Sequence, residues 1–245
     1  MDVLRFTLSG KQAFFKKPEV NSYYYFTYGH IHRVALLGMF GAILGYGGYY
    51  EQYTNKKTYP EFYERLSCIR TSIVPFCERG SFPRKMVAFN NSVGYASQEQ
   101  GGNLIIRQQW LEAPKWYIYI MLDCPEAQNI AKALVNKECV YMPYLGTNDH
   151  PAVIENVDIL TVEAIGQVQH IDSLFEKEKI QIDMDDYEQE RPYKYEEALP
   201  YGLDEELNIY IHKKYVLTNL MVVQVKCDVF SVYDIDKKEY YIVFD

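Results

Sequence analysis

The residue types able to do chemistry are densest in the first 33 positions. Lys11, Lys16, Lys17 and Arg33 are cations that can neutralise phosphates, Tyr23, Tyr24, Tyr25 and Tyr28 offer flat faces, and Asn21 and Thr27 supply short hydrogen-bonding side chains. Cations, aromatic faces and small polar groups together are the means by which proteins grip a single-stranded nucleic acid. Arg33 opens a helical pattern, and the unpaired N–H groups of a helix start favour an anion; a salt bridge to acidic residues elsewhere is the alternative use of its charge. Strand alternation would turn roughly half of Tyr23 to Tyr25 inward. His30 and His32 lie beside this set, and with Tyr28 they would offer the base and acid that metal-free RNA cleavage requires. A histidine in a turn also serves as a plain hydrogen-bonding group.

The remainder of the chain must position these groups. Charge divides it: residues 1–120 hold 14 Lys and Arg against 8 Asp and Glu, residues 121–245 hold 11 against 25, and the net is −8. A basic half facing a polyanion and an acidic half facing water or basic neighbours fit that asymmetry. With 48% hydrophobic and 24% charged residues, the 245-residue chain can bury one large core or two small ones. Twenty-four tyrosines and twelve phenylalanines suit stacking on bases or on protein as well as packing. Five scattered cysteines without a C-x-x-C pair argue against a disulfide frame or a zinc site. No phosphate-binding loop, nucleophile elbow, cofactor motif or metal-ligand spacing is present. The opening residues lack a secretion-signal pattern, and the uncharged run Val34 to Tyr50 falls short of the ~20 residues of a membrane span, so a cytoplasmic protein without a membrane partner is expected.

Periodicity predicts a strand at Val3–Leu8, then a loop over residues 11–30 with no clear period. A helix follows from Arg33 to Gly45, with Gly38, Gly41 and Gly45 on one face. Those glycines serve either close packing on a neighbouring element or close approach of a ligand. Further elements are a helix at Glu61–Cys68, strands at Ile69–Val74, Lys85–Asn90, Leu104–Trp110 and Tyr117–Leu122, and a helix at Pro125–Asn136. The polar stretch 91–103 reads as a hairpin tip, with Lys85 and Arg107 on its flanks able to sit beside RNA or a neighbouring protein. Strand patterns at Val153–Ile171 and Val216–Phe244 enclose residues 172–206, where 13 acidic residues outnumber 4 basic ones and a surface loop or lobe is expected. The class is α+β, with a ferredoxin-like arrangement among those that fit; the expected division is residues 1–145 and 146–245.

The segment Leu4 to Tyr50 resembles the N-terminal signature of the CRISPR-associated Cas-five family of the RAMP superfamily. The likeness lies in the first strand, Ala13-Phe14-Phe15-Lys16-Lys17-Pro18, Thr27-Tyr28, Arg33 and the glycine helix, with Leu145-Gly146 resembling the family's turn before its C-terminal part. The family often places a proline before the basic residue at the helix start, whereas this chain reads Gly29-His30-Ile31-His32-Arg33. The resemblance implies a modified RNA-recognition, ferredoxin-like domain with a protruding thumb hairpin, about residues 85–110, and a smaller strand-rich C-terminal part. It implies a non-catalytic subunit of a type I Cascade effector, closest to type I-B, that holds the 5′ handle of the crRNA. Its partners would be a backbone subunit and the large subunit, with target DNA met only through the complex. Expected RNA contacts are Lys11, Lys16, Lys17, Asn21, Tyr24, Tyr25, Thr27, Tyr28, His30, His32, Arg33, Gly38, Gly41, Lys85 and Arg107. The type I-C branch, which cuts the guide precursor with a tyrosine and a Lys-His pair, is the alternative; no Lys-His dipeptide occurs here.

Overall fold

Strand β1 (Asp2–Ser9) is buried along nearly its whole length, and the fold is organised around it. Leu4, Phe6 and Leu8 point to one face of the sheet, where they meet helical residues Leu36, Leu37, Phe40, Ile130 and Leu134. Val3 points to the other, with Tyr119, Val162, Phe230 and Ile242. A strand covered on both faces loses the apolar–polar alternation, which is why β1 is a near-continuous hydrophobic run. The exceptions are Arg5, fully buried and paired with Asp158 at 2.6 Å, and Thr7, whose Oγ1 accepts from Asn156 Nδ2 (3.2 Å).

The computed structural model describes residues 1–19, 24–95, 98–185, 190–233 and 238–245. Asn21 and Tyr23 lie outside the described residues. A short β2 (Gln12–Ala13) precedes α1 (Arg33–Leu44), α2 (Tyr49–Asn55), α3 (Glu61–Leu66) and β3 (Thr71–Pro75). Then come β4 (Arg84–Asn90), β5 (Ile105–Glu112), β6 (Lys115–Met121), α4 (Pro125–Val135) and β7 (Val153–Thr161). The central antiparallel sheet runs β3-β6-β1-β7, so β1, α1, β3, β6, α4 and β7 follow one another as strand, helix, two strands, helix and strand. Because β7 pairs with β1, this sheet is completed only after residue 145, the boundary expected from sequence.

The remaining strands are β8 (Glu163–Ile165), β9 (Phe175–Glu176), β10 (Ile180–Ile182), β11 (Lys194–Leu203), β12 (Tyr210–Thr218), β13 (Val222–Val225), β14 (Val229–Tyr233) and β15 (Glu239–Ile242). They form small sheets β11-β12-β9, β15-β14-β8 and β10-β13, the second covering the far face of the central sheet. The acidic stretch expected as a surface loop therefore contains β9, β10 and β11. Leu199 of β11 joins Tyr215 and Leu217 of β12 in the main core. The architecture is mixed α+β and sheet-rich. Among the described residues no helix is long and apolar enough to cross a membrane.

Two of the predicted glycines in α1 have different reasons. A Cβ on Gly41 would stand 2.4 Å from the Phe62 Cβ of α3, so this position sets how closely the two helices pack. A Cβ on Gly38 would meet only Phe62 Cε2, at an ordinary 3.9 Å. Gly41→Ala is therefore expected to destabilise the fold by about 1–3 kcal/mol through overpacking. Gly38→Ala is expected to stabilise it by up to about 1 kcal/mol through helix propensity. Urea unfolding midpoints of the two variants check the opposite signs.

Candidate nucleic-acid interface

In the loop from Lys11 to His32 the described parts, residues 11–19 and 24–32, pair as the two arms of a hairpin, and the second arm lies on β5. Lys17 N donates to Phe26 O (2.8 Å) and Tyr28 N to Phe15 O (2.8 Å), which closes its stem. Tyr25 N donates to Arg107 O (2.9 Å) and Gln109 N to Tyr25 O (2.9 Å), which fasten its far arm to β5. At its base Phe14 N donates to Leu145 O (3.1 Å), and Gly146 turns at φ 91° with its α-carbon against the Phe14 carbonyl. A Cβ there would lie 2.0 Å from that oxygen, so the Leu-Gly turn is a steric requirement of the hairpin.

Alternation across this hairpin sorts the expected contacts. Lys11 and Lys16 are exposed, and the Lys16 ammonium stands 4.4 Å from the centre of the half-buried Tyr25 ring. Tyr24 and Phe26 are exposed and stacked, with centroids 6.3 Å apart at 29°, and the Arg107 guanidinium lies 5.6 Å from the Tyr24 ring. Together they make a ribbon of aromatic faces with cations beside them. Lys85, on β4, instead pairs with Glu112 at 3.3 Å, a surface ion pair worth at most about 1 kcal/mol.

The inward set is taken up by protein. Thr27 Oγ1 accepts from Phe15 N (3.0 Å) and donates to Tyr28 O (2.9 Å). His32 is the N-cap of α1, its Nδ1 accepting from Ala35 N (3.2 Å), so a histidine replaces the helix-start proline of the resembled pattern. His30 Nε2 donates to Gly80 O (2.9 Å), and its Nδ1 accepts from Trp116 Nε1 (3.4 Å). The guanidinium of Arg33 donates to the carbonyls of Ser67 (2.5 Å), Ile69 (3.2 Å) and Tyr201 (3.3 Å). Thr27, His30, His32 and Arg33 are buried with these bonds made, so their polar groups position the hairpin and helix, while His32 also borders the groove along α1 and Thr27 the recess beside Lys17. Tyr28 is buried too, its phenol meeting His212 Nε2 at 2.7 Å.

Lys17 and the acidic half meet here. Its ammonium pairs with Glu197 of β11, whose carboxylate also accepts from the Tyr195 hydroxyl and from Gly29 N (2.8 Å). Burial by itself would raise the Glu197 carboxyl, but the bonds from Lys17, Tyr195 and Gly29 outweigh it and hold the group below the usual carboxylate range. Beside this cluster a recess of about 390 Å³ is lined by Lys17, Phe26, Arg84 and Gln109.

On the other side of the hairpin an open groove of about 580 Å³ runs along α1. Ala35, Gly38 and Ala42 form its floor, Lys16 sits at its edge, and Tyr46, Tyr49, Tyr141, Tyr144 and Tyr210 form its walls. Gly38 thus borders open space, while Gly41 faces helix α3. Sequence reasoning missed Phe26, Arg84 and the wall tyrosines. Only Phe26, flanked by tyrosines, carried a signal that could have found it. Cations beside aromatic faces can bind phosphates and stacked bases at the same time.

No family profile matches this sequence, and no curated protein matches it. Solved structures do. A chain of a CRISPR RNA-guided surveillance complex superposes with a TM-score of 0.50 over 90% of both chains, at 12% identity. A CRISPR protein from Archaeoglobus fulgidus also gives 0.50, covering 98% of this chain and 99% of its own, at 10% identity. The fold is that of CRISPR-associated proteins. Coverage of nine-tenths or more on both sides means that the likeness includes the small C-terminal sheets as well as the central one.

The buried histidines make stability depend on pH. Burial, the dominant cause for both, lowers His30 to about 4 and His32 to about 3, below the ordinary 6.5. Above that ordinary value the unfolded chain binds no extra proton and the contribution is complete. Below it the unfolded chain takes up protons that the folded chain refuses, so stability falls as the pH drops from about 6.5 toward 4, by up to about 1.4 kcal/mol per unit per histidine. Urea unfolding at pH 7, 6 and 5 should show this slope, and His32→Asn, which keeps a capping side chain, should reduce it.

Proposed function

We propose that this protein is a non-catalytic subunit of a CRISPR type I Cascade effector, of the Cas-five kind, that holds the 5′ handle of the crRNA. The observation that carries the reading is the exposed ribbon of Lys16 over Tyr25 and Arg107 beside stacked Tyr24 and Phe26, next to the tyrosine-walled groove. It occurs in a chain that shares its fold with part of an RNA-guided complex. The strand–helix–strand–strand–helix–strand order with sheet order β3-β6-β1-β7 supports a ferredoxin-like core. The β4–β5 hairpin, which buries only Leu111 and exposes Met86, Phe89 and Ile105, serves as the thumb. Its apolar side chains would meet the neighbouring backbone subunit, the large subunit docks on this protein, and target DNA is met only through the assembled complex, in the cytoplasm. The resemblance favours type I-B.

In this reading Lys11, Lys16 and Arg107 contact phosphates, and Tyr24, Tyr25 and Phe26 stack on bases. Replacing the three cations by alanine should lower the salt-dependence slope of handle binding by about 2, at about 0.7 per lost single-strand contact. Arg33→Ala should destabilise the fold with no such change in slope. An unchanged slope in the triple variant would count against this face.

A second reading, metal-independent cleavage of the guide precursor, has one observation in its favour. His30 and His32 are buried and neutral, but the exposed His212 meets the Tyr28 phenol at 2.7 Å. Burial, with Glu19, Tyr210 and Glu197 nearby, pushes the phenol well above its usual value, which suits proton donation better than a base role. The purified chain incubated with repeat RNA and a chelator is expected to leave the RNA intact. Cleavage that disappears in both Tyr28→Phe and His212→Ala would favour the second reading.

A further inference from the structure

Two cysteines distant in sequence meet where α3 leads into β3 and β6 leads into α4. Cys68 follows α3, and Cys124 is the N-cap residue of the 11-residue α4, where its side chain makes no cap bond. Their sulfurs lie 3.6 Å apart. Glu126, in the first turn of α4, brings a carboxylate oxygen into the same cluster, and the three ligand atoms all lie within 4.8 Å of one another. Cys68 is exposed while Cys124 and Glu126 are half-buried, so the cluster opens to solvent on one side.

The distances fit a metal. With metal–sulfur bonds of about 2.3 Å in tetrahedral geometry, two thiolates sit roughly 3.8 Å apart, so the sulfurs are already spaced for a shared ion. A disulfide would need them drawn in to about 2.05 Å. Glu126 is only loosely engaged: the nearest Arg65 nitrogen is 3.9 Å away, and that guanidinium also faces Glu61 at 3.5 Å and lies 4.0 Å from the Tyr46 ring. The flanking backbone is fixed, because Arg33 holds the carbonyls of Ser67 and Ile69 on either side of Cys68.

We propose that Cys68, Cys124 and Glu126 bind one thiophilic divalent cation of the zinc class, with the fourth position open to water. On binding, the cation replaces the proton of each thiol and two protons leave to solvent. The ion ties the end of α3 to the start of α4. This assignment stands apart from the nucleic-acid reading, since none of the three residues lines the hairpin or the groove.

The test is a Cd²⁺ titration of the fully reduced chain under anaerobic conditions, following the ultraviolet thiolate-to-cadmium absorbance. The signal is expected to saturate at one ion per chain and to be displaced by Zn²⁺. It should vanish in Cys68→Ser and Cys124→Ser, weaken at least about tenfold in Glu126→Gln, and persist in Cys139→Ser, which alters an exposed cysteine outside the cluster. Cys68 is exposed, so its serine variant should melt like the metal-free parent and keeps the test valid if Cys124→Ser folds poorly. No saturable signal, or one that survives Cys68→Ser, overturns the proposal. So does a Cys68–Cys124 disulfide formed in air by a chain that takes up no Cd²⁺ when reduced.

Discussion

Glu197 accepts hydrogen bonds from the Lys17 ammonium, the Tyr195 hydroxyl and the Gly29 N–H with its side chain only 12% exposed. One carboxylate of the acidic half thereby fixes the stem of the basic, aromatic hairpin and the turn that leads into α1. A buried carboxylate left without its partners costs several kcal/mol, on the order of 3–5, so the hairpin and β11 keep each other in place. The opposite charges of the two halves of the chain are thus partly spent on one another. Lys11 and Lys16 of the hairpin and Arg107 of the adjoining β5 stay exposed beside its aromatic face.

From this follows a division of labour among residues of similar type. Thr27, His30, His32 and Arg33 form the inner lining, where their side chains bond to carbonyls, an N–H or a ring nitrogen of the protein. Tyr24, Tyr25 and Phe26 form the outer surface, where aromatic faces lie beside cations. The inner set gives the outer one its rigidity, and a rigid platform binds a flexible strand at a lower entropic cost.

Much of the fold was legible because its central elements follow simple rules. The doubly buried β1, the glycine helix α1 ended by Gly45 at φ 77°, and α4 with proline in its first turn each lie within two residues of where patterning placed them. Strand β11 was not legible. Its first half is acidic, and Pro200 and Gly202 flank the register shift that lets an edge strand carry a proline, so the sequence looks like a loop. Helix α2 buries no residue and so leaves no hydrophobic period. In the candidate site the residue types were readable but their direction was not. Arg33 looks the same in sequence whether it faces a phosphate or the carbonyls of Ser67 and Ile69, and Cys68 and Cys124 are brought together by the pairing of β3 with β6, which places the residues before β3 beside those after β6.

The central claim is that the outward face of the Lys11–His32 hairpin, with the adjoining groove, is where an RNA strand lies. Photocrosslinking a handle RNA substituted with 4-thiouridine to the purified chain, followed by peptide mass spectrometry, tests this most directly. The account predicts adducts at Tyr24, Tyr25 or Phe26 and at the groove tyrosines Tyr49, Tyr141 or Tyr144. Adducts confined to the sheets β10-β13 and β15-β14-β8, with the hairpin unlabelled, would contradict it.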